Sequence, residues 1–518
     1  MMKRIFLLIH FIFIYVSGFS QEYFNFHFEY GQTGWWDGAS NVVFLPDAYV
    51  IGGGSVYYDN NLRLCFSKFD FQGNKISSRV YWDTIANYYL GNPGSILQIT
   101  EDSIIAVGTK KEYTSTWVHD QGNLLFLNYD FDTLMTKQFG EKSEPFDTSY
   151  IFFQATRCNS NNLIITGIKW AYTGTQKILL IKTDFKGSLK WEKTFGYGAY
   201  FQGHSVICTN DNGYAIGGLF FDILPPPNLT GDPVVYKTDS AGNFKWSFNY
   251  GTPYIDTPGM LCSTQDGNMV LGFGYCDSMS GGGTSTEGNP FRRINLIKID
   301  NDGNEIWNKK FGISEYEKTL LNIRENPDGS LISTGITIEY GEVDYKYVGW
   351  ILKTSANGDS LWYRQYDIGV GESTWNWLYD VIETPDLGYL ACGVVYPEPP
   401  DTGSQDGWIL KVDSLGCERV DYCWVGMKEQ TPLPANEGMD IYPNPVEEEV
   451  RFEFQISSFK FRIEICLYDI FGREVKKLPM AQGQTGLKMD VSDLIPGLYV
   501  AVVKSDNRII ARKKLVKK

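Results

Sequence analysis

The sequence is poor in histidine and contains none of the common catalytic motifs. Only four histidines occur in 518 residues, and none has the i, i+4 or Cys/His spacing of a zinc site. No P-loop, dinucleotide-binding fingerprint or Gly-x-Ser-x-Gly elbow occurs in a strand-to-helix context. We therefore predict no metal and no cofactor, and no residue can be named as catalytic.

Basic residues are also in deficit, and long apolar runs are missing. The chain has 46 Lys+Arg against 61 Asp+Glu, a net charge of −15. Residues 439–518 contribute +3 and residues 1–20 contribute +2, so the remainder carries about −20. A surface this acidic repels phosphate backbones, which excludes nucleic acid as a partner. No run is long enough to cross a bilayer, so no transmembrane segment is predicted.

Residues 1–20 predict a secretory signal peptide. Lys3 and Arg4 precede an apolar run at 5–16, and small residues occupy the −3 and −1 positions before Gln21. No cysteine follows this cleavage site, which argues against a lipoprotein anchor. The mature chain is thus expected to begin at Gln21.

One phrase recurs seven times at intervals of about 57 residues. It consists of an apolar strand, Asp-x-x-Gly and then an aromatic residue, and its anchors are Asp70, Asp130, Asp184, Asp239, Asp300, Ser355 and Asp413. Period-two alternation gives four strands per unit; in the fourth unit these are 204–208, 214–219, 234–237 and 244–249. The prediction is an all-β chain whose residues 21–423 form a seven-bladed β-propeller of four-stranded blades. A solenoid is the structural alternative.

The repeated phrase has a mechanical explanation. The Asp side chain accepts backbone N–H bonds and the Gly takes a positive φ. In four units a Trp seven residues after the anchor is expected to pack between blades: Trp191, Trp246, Trp307 and Trp362. A calcium site at 300–304 is the alternative for that turn. The phrase resembles the tryptophan-docking motif of quinoprotein-type propellers and the Asp-box hairpin of sialidases. The motif is structural in both families, and no arginine cluster with a Tyr/Glu pair is recognisable here, so neither activity transfers.

The two ends of the propeller segment are expected to share a blade. The last unit has an apolar strand at 408–412 but no aromatic-rich strand after Asp413, whereas residues 23–31 look like such a strand with nothing before them. We predict that this N-terminal strand completes the last blade.

The last 80 residues carry the most specific signal. They contain four phrases in order: the YPNP sequence at Tyr442, Pro443, Asn444 and Pro445; a hairpin with Asp469 and Gly472; a Pro-Gly-x-Tyr phrase with Gly497 and Tyr499; and a basic-apolar tail at 513–517. Residues 439–518 closely resemble the type A sorting domain of the type IX secretion system. This resemblance implies a small immunoglobulin-like β-sandwich, recognition by the type IX machinery, and delivery across both membranes to the cell surface or medium. An ordinary C-terminal sandwich is the alternative.

Residues 424–438, rich in Pro and polar residues, are predicted as the linker.

Nine cysteines in an exported chain leave at least one thiol unpaired. Cys417 and Cys423 close a short loop and are the one pair that we predict. Cys158, Cys208 and Cys262 fall at equivalent positions of consecutive units, where small buried apolar residues are expected.

Loop lengths indicate the binding face. The connections between second and third strands are long and irregular, and in a propeller they share a face with the connections between blades. The aromatic residues and the histidine predicted to bind there are Trp35, Trp36, Trp117, His119, Trp170, Tyr172, Tyr275, Trp375 and Trp377. They suit stacking on a glycan or gripping a protein, although each also suits covering the core. Two hypotheses remain: a non-enzymatic binding module, or a carbohydrate-active hydrolase or lyase.

Overall fold

The computed structural model describes most of the chain between Tyr23 and Lys518. The described residues are 23–30, 36–56, 61–113, 118–140, 148–158, 161–171, 175–197, 200–221, 231–279, 290–312, 316–340, 345–368, 375–396, 405–418, 439–454, 463–468, 474–480, 486–505 and 508–518. The chain separates into two compact units, Met1–Gly426 and Met427–Lys518. The predicted signal peptide and linker lie outside the described residues and stay predictions.

The first unit contains seven antiparallel sheets, which we number as blades. Blade 1 comprises β2 (Trp36–Leu45), β3 (Ala48–Val56), β4 (Leu62–Phe69) and β5 (Lys75–Tyr81). Blade 2 comprises β6 (Ala86–Leu90), β7 (Ile96–Thr100), β8 (Ser103–Tyr113), β9 (Val118–Asn128) and β10 (Thr133–Phe139). Blade 3 comprises β11 (Thr148–Cys158), β12 (Asn162–Ala171), β13 (Gln176–Asp184) and β14 (Leu189–Phe195). Blade 4 comprises β15 (Tyr200–Cys208), β16 (Tyr214–Phe221), β17 (Gly231–Thr238) and β18 (Phe244–Asn249).

The remaining blades follow the same order. Blade 5 comprises β19 (Met260–Ser263), β20 (Met269–Met279), β21 (Pro290–Ile299) and β22 (Glu305–Phe311). Blade 6 comprises β23 (Glu317–Glu325), β24 (Leu331–Tyr340), β25 (Tyr345–Thr354) and β26 (Ser360–Tyr366). Blade 7 comprises β27 (Asn376–Glu383), β28 (Tyr389–Val395), β29 (Asp406–Val412) and β1 (Phe24–Phe28). The strands that the sequence predicts for the fourth unit coincide with blade 4 to within a few residues.

The blades form a closed ring. The first strand of each blade packs against the preceding blade, and β2 of blade 1 packs against β27 and β28 of blade 7. The predicted seven-bladed β-propeller is thereby confirmed. β1 pairs antiparallel with β29, from Phe24 opposite Lys411 to Phe28 opposite Gly407. The first described strand and the last strand of this unit thus belong to one sheet.

The Asp anchors cap the turn between the third and fourth strands of a blade. In blade 4, Oδ1 of Asp239 accepts the backbone N–H of Ala241 at 2.9 Å and of Asn243 at 2.8 Å. Blade 2 corrects the predicted anchor, because Asn128 and not Asp130 accepts these bonds, at 3.0 and 2.7 Å. The sequence pattern was misleading there because Phe131, with φ of 63°, occupies the left-handed position that Gly takes elsewhere.

Five of the seven blades also carry a buried or half-buried lysine whose role the sequence did not indicate. Lys237 of β17 is fully buried, and its Nζ lies 2.9 Å from a carboxylate oxygen of Asp211 in the turn between β15 and β16. Equivalent pairs tie Lys68 to Asp47, Lys298 to Asp266, Lys353 to Asp328 and Lys411 to Asp386. In these five blades, the pair joins the end of the third strand to the turn between the first and second strands.

Two of the cysteines depart from their predicted role. Cys158 at the end of β11 and Cys208 at the end of β15 form a disulfide, with Cα atoms 6.0 Å apart. They are therefore not merely small apolar residues, because the ends of neighbouring first strands approach closely enough to be bridged. Cys262 is a buried free thiol. Cys417 is disulfide-bonded, but its predicted partner Cys423 lies outside the described residues.

The second unit is a β-sandwich of two antiparallel sheets. One contains β30 (Met439–Tyr442), β31 (Glu449–Phe454) and β34 (Gly486–Asp490); the other contains β32 (Ile463–Tyr468), β33 (Glu474–Met480), β35 (Gly497–Ser505) and β36 (Arg508–Lys517). Buried residues of both sheets, such as Phe452, Leu467 and Leu515, share one core. The predicted small sandwich is confirmed.

Candidate functional site

The predicted binding residues do not all reach a common surface. Trp35, Trp117 and Tyr172 lie outside the described residues, and Trp36 is described only as the first backbone position of β2. His119 corrects its prediction: it lies within β9 opposite Glu112 and is completely buried. β9 begins at Val118, which places His119 inside the blade and not in the connection between the second and third strands.

Trp375 and Trp377 meet two tyrosines at the junction of blades 6 and 7. The ring of Trp375 lies 4.8 Å from Tyr347 and 5.1 Å from Tyr396, and it is nearly parallel to Trp377 at 6.3 Å. The ring of Tyr347 is also 5.8 Å from that of Trp377. We call these four residues the aromatic patch.

Backbone contacts hold the aromatic patch in place. Trp375 forms an isolated bridge with Tyr347 of β25, and its carbonyl accepts the N–H of Tyr396 at 3.1 Å. Between the two tryptophans, the buried Asn376 accepts the N–H of Ile368 at 3.0 Å. Trp375 and Trp377 lie two apart along an extended segment, so both indoles project to the same side. The three segments are thereby fixed before any ligand arrives.

The patch is accessible and extends further along blade 6. Trp375 is 39% exposed and Tyr345 is 48% exposed. The ring of Tyr345 packs edge-on against Tyr340 at 5.5 Å, and Tyr340 packs against Phe291 at 6.2 Å. Exposed rings held by a rigid scaffold provide flat apolar area at little cost in entropy. Such a surface can stack against the faces of sugar rings or cover an apolar part of a protein.

A buried ionic group lies at the edge of this extension. Glu317 accepts a 2.6 Å hydrogen bond from the hydroxyl of Tyr340 and pairs with Arg292. Both ionic side chains are nearly buried, at 12% and 10% exposure. Burial, followed by the hydrogen bond to Glu317 and the negative charge of Glu317, raises the pKa of Tyr340 far above its usual value. The phenol is therefore held in its protonated form and is not activated as a nucleophile.

The other predicted aromatics are separate from the patch. Tyr275 of blade 5 lies under the ammonium of Lys310, 3.4 Å from its ring centroid, beside the Arg293–Asp277 ion pair. Trp170 of blade 3 is 41% exposed. Among the described residues, no group of three or more His, Cys, Asp or Glu is arranged to hold a metal ion.

The sorting-motif residues have structural roles within the sandwich. Asn444 donates to the carbonyl of Lys514 at 2.7 Å and accepts the N–H of Val516 at 2.9 Å, which ties the YPNP sequence to β36. Tyr442 is 42% exposed under the guanidinium of Arg451. The hydroxyl of Tyr499 donates to the carbonyl of Ile495 at 2.8 Å, just before Gly497 begins β35. Asp469 and Gly472 lie outside the described residues. In the part of the chain that the structure describes, no helix is long and apolar enough to cross a membrane.

Solved structures similar to the propeller unit share its fold only in general terms. The polysaccharide lyase Uly1 matches with a TM-score of 0.43 at 8% identity, covering 78% of this chain and 94% of its own. The GH93 α-L-arabinofuranosidase of Fusarium graminearum matches with a TM-score of 0.39 at 12% identity, covering 75% and 97%. The α-L-arabinanase of Penicillium chrysogenum matches with a TM-score of 0.37 at 9% identity, covering 73% and 93%. Likeness this distant assigns no activity.

The C-terminal unit gives the clearer comparison. No curated protein sequence matches the chain. Residues 440–518, however, match the family described as the secretion system C-terminal sorting domain. This match confirms the resemblance seen in the YPNP and Pro-Gly-x-Tyr phrases. The protein carries a C-terminal sorting domain and is exported by the type IX secretion system to the cell surface or the extracellular space.

Proposed function

We propose that the protein is an exported glycan-binding propeller whose aromatic patch stacks on carbohydrate outside the cell. The observation that carries the proposal is the exposed indole of Trp375, nearly parallel to the partly buried indole of Trp377 and flanked by Tyr347 and Tyr396. An exposed ring offers an apolar face for stacking, and the sugar hydroxyls stay hydrated.

The electrostatic setting favours binding over catalysis. Glu317, a nearly buried carboxylate near the patch, already bonds to Arg292 and Tyr340. A general acid or base must be within hydrogen-bond reach of the substrate proton, and this carboxylate is occupied by its neighbours. The non-enzymatic reading is therefore the first candidate.

A carbohydrate-active hydrolase or lyase is the second candidate. Its specific support is the same set of Glu317, Arg292 and Tyr340, because a carboxylate, a guanidinium and a phenol are groups that such enzymes use. For this reading, ligand binding would have to release Glu317 from Tyr340. An E317Q substitution would then abolish turnover while leaving binding intact.

A paired screen tests the proposal. The purified mature protein is applied to a glycan array and, in parallel, incubated with the polysaccharides that it binds while reducing ends and unsaturated products are measured. We expect selective binding without product. Turnover that E317Q abolishes would replace the binding module with the enzyme, and absence of binding to any glycan would overturn both carbohydrate readings.

A further inference from the structure

The aromatic patch continues as a row of rings along one end of blade 6. Tyr345 and Tyr347 lie two apart in β25, so their side chains project to the same side of the strand, roughly 6.5 Å apart along it. Tyr345 packs edge-on against Tyr340 at 5.5 Å, and Tyr347 lies 4.8 Å from Trp375. We call Tyr340, Tyr345, Tyr347 and Trp375 the aromatic track.

The aromatic track is accessible at two separate points. Tyr345 is 48% exposed and Trp375 is 39% exposed, and the half-buried Tyr347 lies between them in the row. One sugar unit stacks on one of these rings at a time, whereas a chain of linked units can cover both exposed rings. Because the units are joined, the second contact becomes intramolecular and adds to the affinity of the first. Only a ligand long enough to reach both rings gains from it.

Backbone pairing fixes the spacing of the rings. Tyr340 of β24 and Tyr345 of β25 are opposite each other in the sheet, and Trp375 forms a bridge with Tyr347. The hydroxyl of Tyr340 donates to Glu317 at 2.6 Å, which holds its ring beside Tyr345. The rings are therefore aligned before a ligand arrives, and the protein loses little conformational freedom when an extended chain binds.

The charges beside the aromatic track disfavour an acidic ligand. Lys346, between the two tyrosines of β25, is paired with Asp367 at 3.1 Å, and Arg292 is paired with Glu317. Glu339 lies opposite Lys346 in β24 and adds a carboxylate. Residues 21–438 as a whole carry about −20. A uronate or a sulfated sugar would therefore meet negative charge, while both of these cations already have carboxylate partners.

We propose that the aromatic track binds a neutral polysaccharide along an internal stretch of its chain, with sugar units stacked on both Trp375 and Tyr345. This inference rests on the proposed glycan-binding function and adds the class of ligand, which is uncharged, linear and several units long. Sugars with equatorial hydroxyl groups, as in β-linked glucans, present the broad apolar faces that stacking requires. Affinity should rise with chain length until both exposed rings are covered and then level off.

Isothermal titration of the mature protein with oligosaccharides of two lengths tests the inference. The neutral probes are the disaccharides and hexasaccharides of the β-1,4-linked glucose, mannose and xylose series, and the acidic probe is hexagalacturonate. We expect at least one neutral hexasaccharide to bind about tenfold or more tightly than its own disaccharide. Hexagalacturonate should bind at least about tenfold more weakly than that hexasaccharide.

The outcomes separate this inference from the proposed function. Equal affinity for the disaccharide and the hexasaccharide would overturn the aromatic track but leave glycan binding by the aromatic patch intact. Preferential binding of hexagalacturonate would overturn the neutral class. No binding of any neutral hexasaccharide would overturn the inference as a whole, and the glycan array decides separately whether the proposed function stands.

Variants of Tyr345 localise the second contact. Y345A removes the exposed ring, Y345F keeps it, and the control Y113A removes a tyrosine of blade 2 that is 49% exposed. We expect Y345A to weaken hexasaccharide binding about tenfold and to leave disaccharide binding unchanged, because the disaccharide settles on the larger indole of Trp375. Y345F and Y113A should retain full affinity for both ligands. Unchanged hexasaccharide affinity in Y345A would contradict the second contact, and the length series on the unchanged protein tests the inference without any variant.

Discussion

The indole of Trp191 in blade 3 lies directly over Gly242 in blade 4. A Cβ atom built on that glycine would approach the ring to 2.8 Å, and φ at Gly242 is +78°. The same contact joins Trp307 to Gly358 and Trp362 to Gly416 in later blades. Trp246 and Trp362 also donate Nε1–H bonds to backbone carbonyls of the next blade, at 2.9 and 3.1 Å. The repeated Gly and Trp therefore form one interblade contact.

Substitution of Gly242 by alanine should separate the cost of backbone strain from that of packing. Gly329 is the matched control, since φ there is +80° but a Cβ would meet only Ala356 at 4.0 Å. We expect G329A to lower the free energy of unfolding by about 1 kcal/mol and G242A by roughly a further 1–3 kcal/mol, because only G242A pushes against an indole. Urea unfolding measures both, and equal losses would contradict the interblade contact.

Replacing a buried lysine should lower the free energy of unfolding more where its aspartate partner has no second lysine. In K411M, Asp386 loses its partner while its side chain is only 10% exposed. In K237M, Asp211 keeps Lys245 at 2.8 Å and is 29% exposed. We expect a loss of roughly 3–5 kcal/mol for K411M and about 1 kcal/mol for K237M. Chemical denaturation measures both losses, and equal losses of unfolding free energy would contradict this difference between the two aspartates.

Asp37 should make stability depend on pH. Burial, strengthened by the negative charges of Asp406 and Glu29, raises the pKa of this carboxyl from 3.8 to about 6, although the bond from the N–H of Tyr30 opposes the shift. Between about pH 4 and pH 6 the folded state therefore holds a proton that the unfolded state has released. Stability due to this group is largest at low pH and falls as pH rises through that window.

The variant D37N removes this titration. Its amide oxygen can still accept the N–H of Tyr30, which lies 3.2 Å from the carboxylate in the native chain. The melting temperature of D37N relative to the unchanged protein should rise between pH 4 and pH 7 and then level off. Parallel melting curves across that range would show that Asp37 titrates alike in both states.

Removal of the N-terminal strand tests closure of the ring. Deleting residues 21–31 would expose β29 and leave Trp408 without the 2.6 Å bond from its Nε1 to Asn25. The buried ring of Phe28, which packs edge-on against Phe69 of blade 1, would be lost as well. We expect a sharp fall in melting temperature, and an unchanged transition would contradict closure by this strand.

The sequence was sufficient to predict the strands and turns that recur in each repeat. Alternating apolar residues and Asp-x-x-Gly turns depend on near neighbours in the chain, so the strands of blade 4 and the cap at Asp239 were predictable. The anchor of blade 2 was misplaced because Asn128 and Phe131 perform the roles of Asp and Gly with different side chains. A motif that requires Asp and Gly at fixed positions does not detect a turn in which other residues perform the same roles.

Features that join distant parts of the chain could not be read in advance. The disulfide between Cys158 and Cys208 and the pairing of Lys237 with Asp211 depend on blade geometry rather than on spacing. The two tryptophans of the aromatic patch were predicted, but their meeting with Tyr347 was not, because 28 residues separate it from Trp375.

Comparison of W375A with W170A on the glycan that the protein binds tests the central claim most directly. The two tryptophans are similarly exposed, at 39% and 41%, but only Trp375 belongs to the aromatic patch. Loss of one stacking indole should weaken binding by about tenfold or more, as for other aromatic contacts worth about 1.5 kcal/mol, while W170A retains full affinity. Equal affinity of W375A and the unchanged protein, measured by titration on that glycan, would contradict the account.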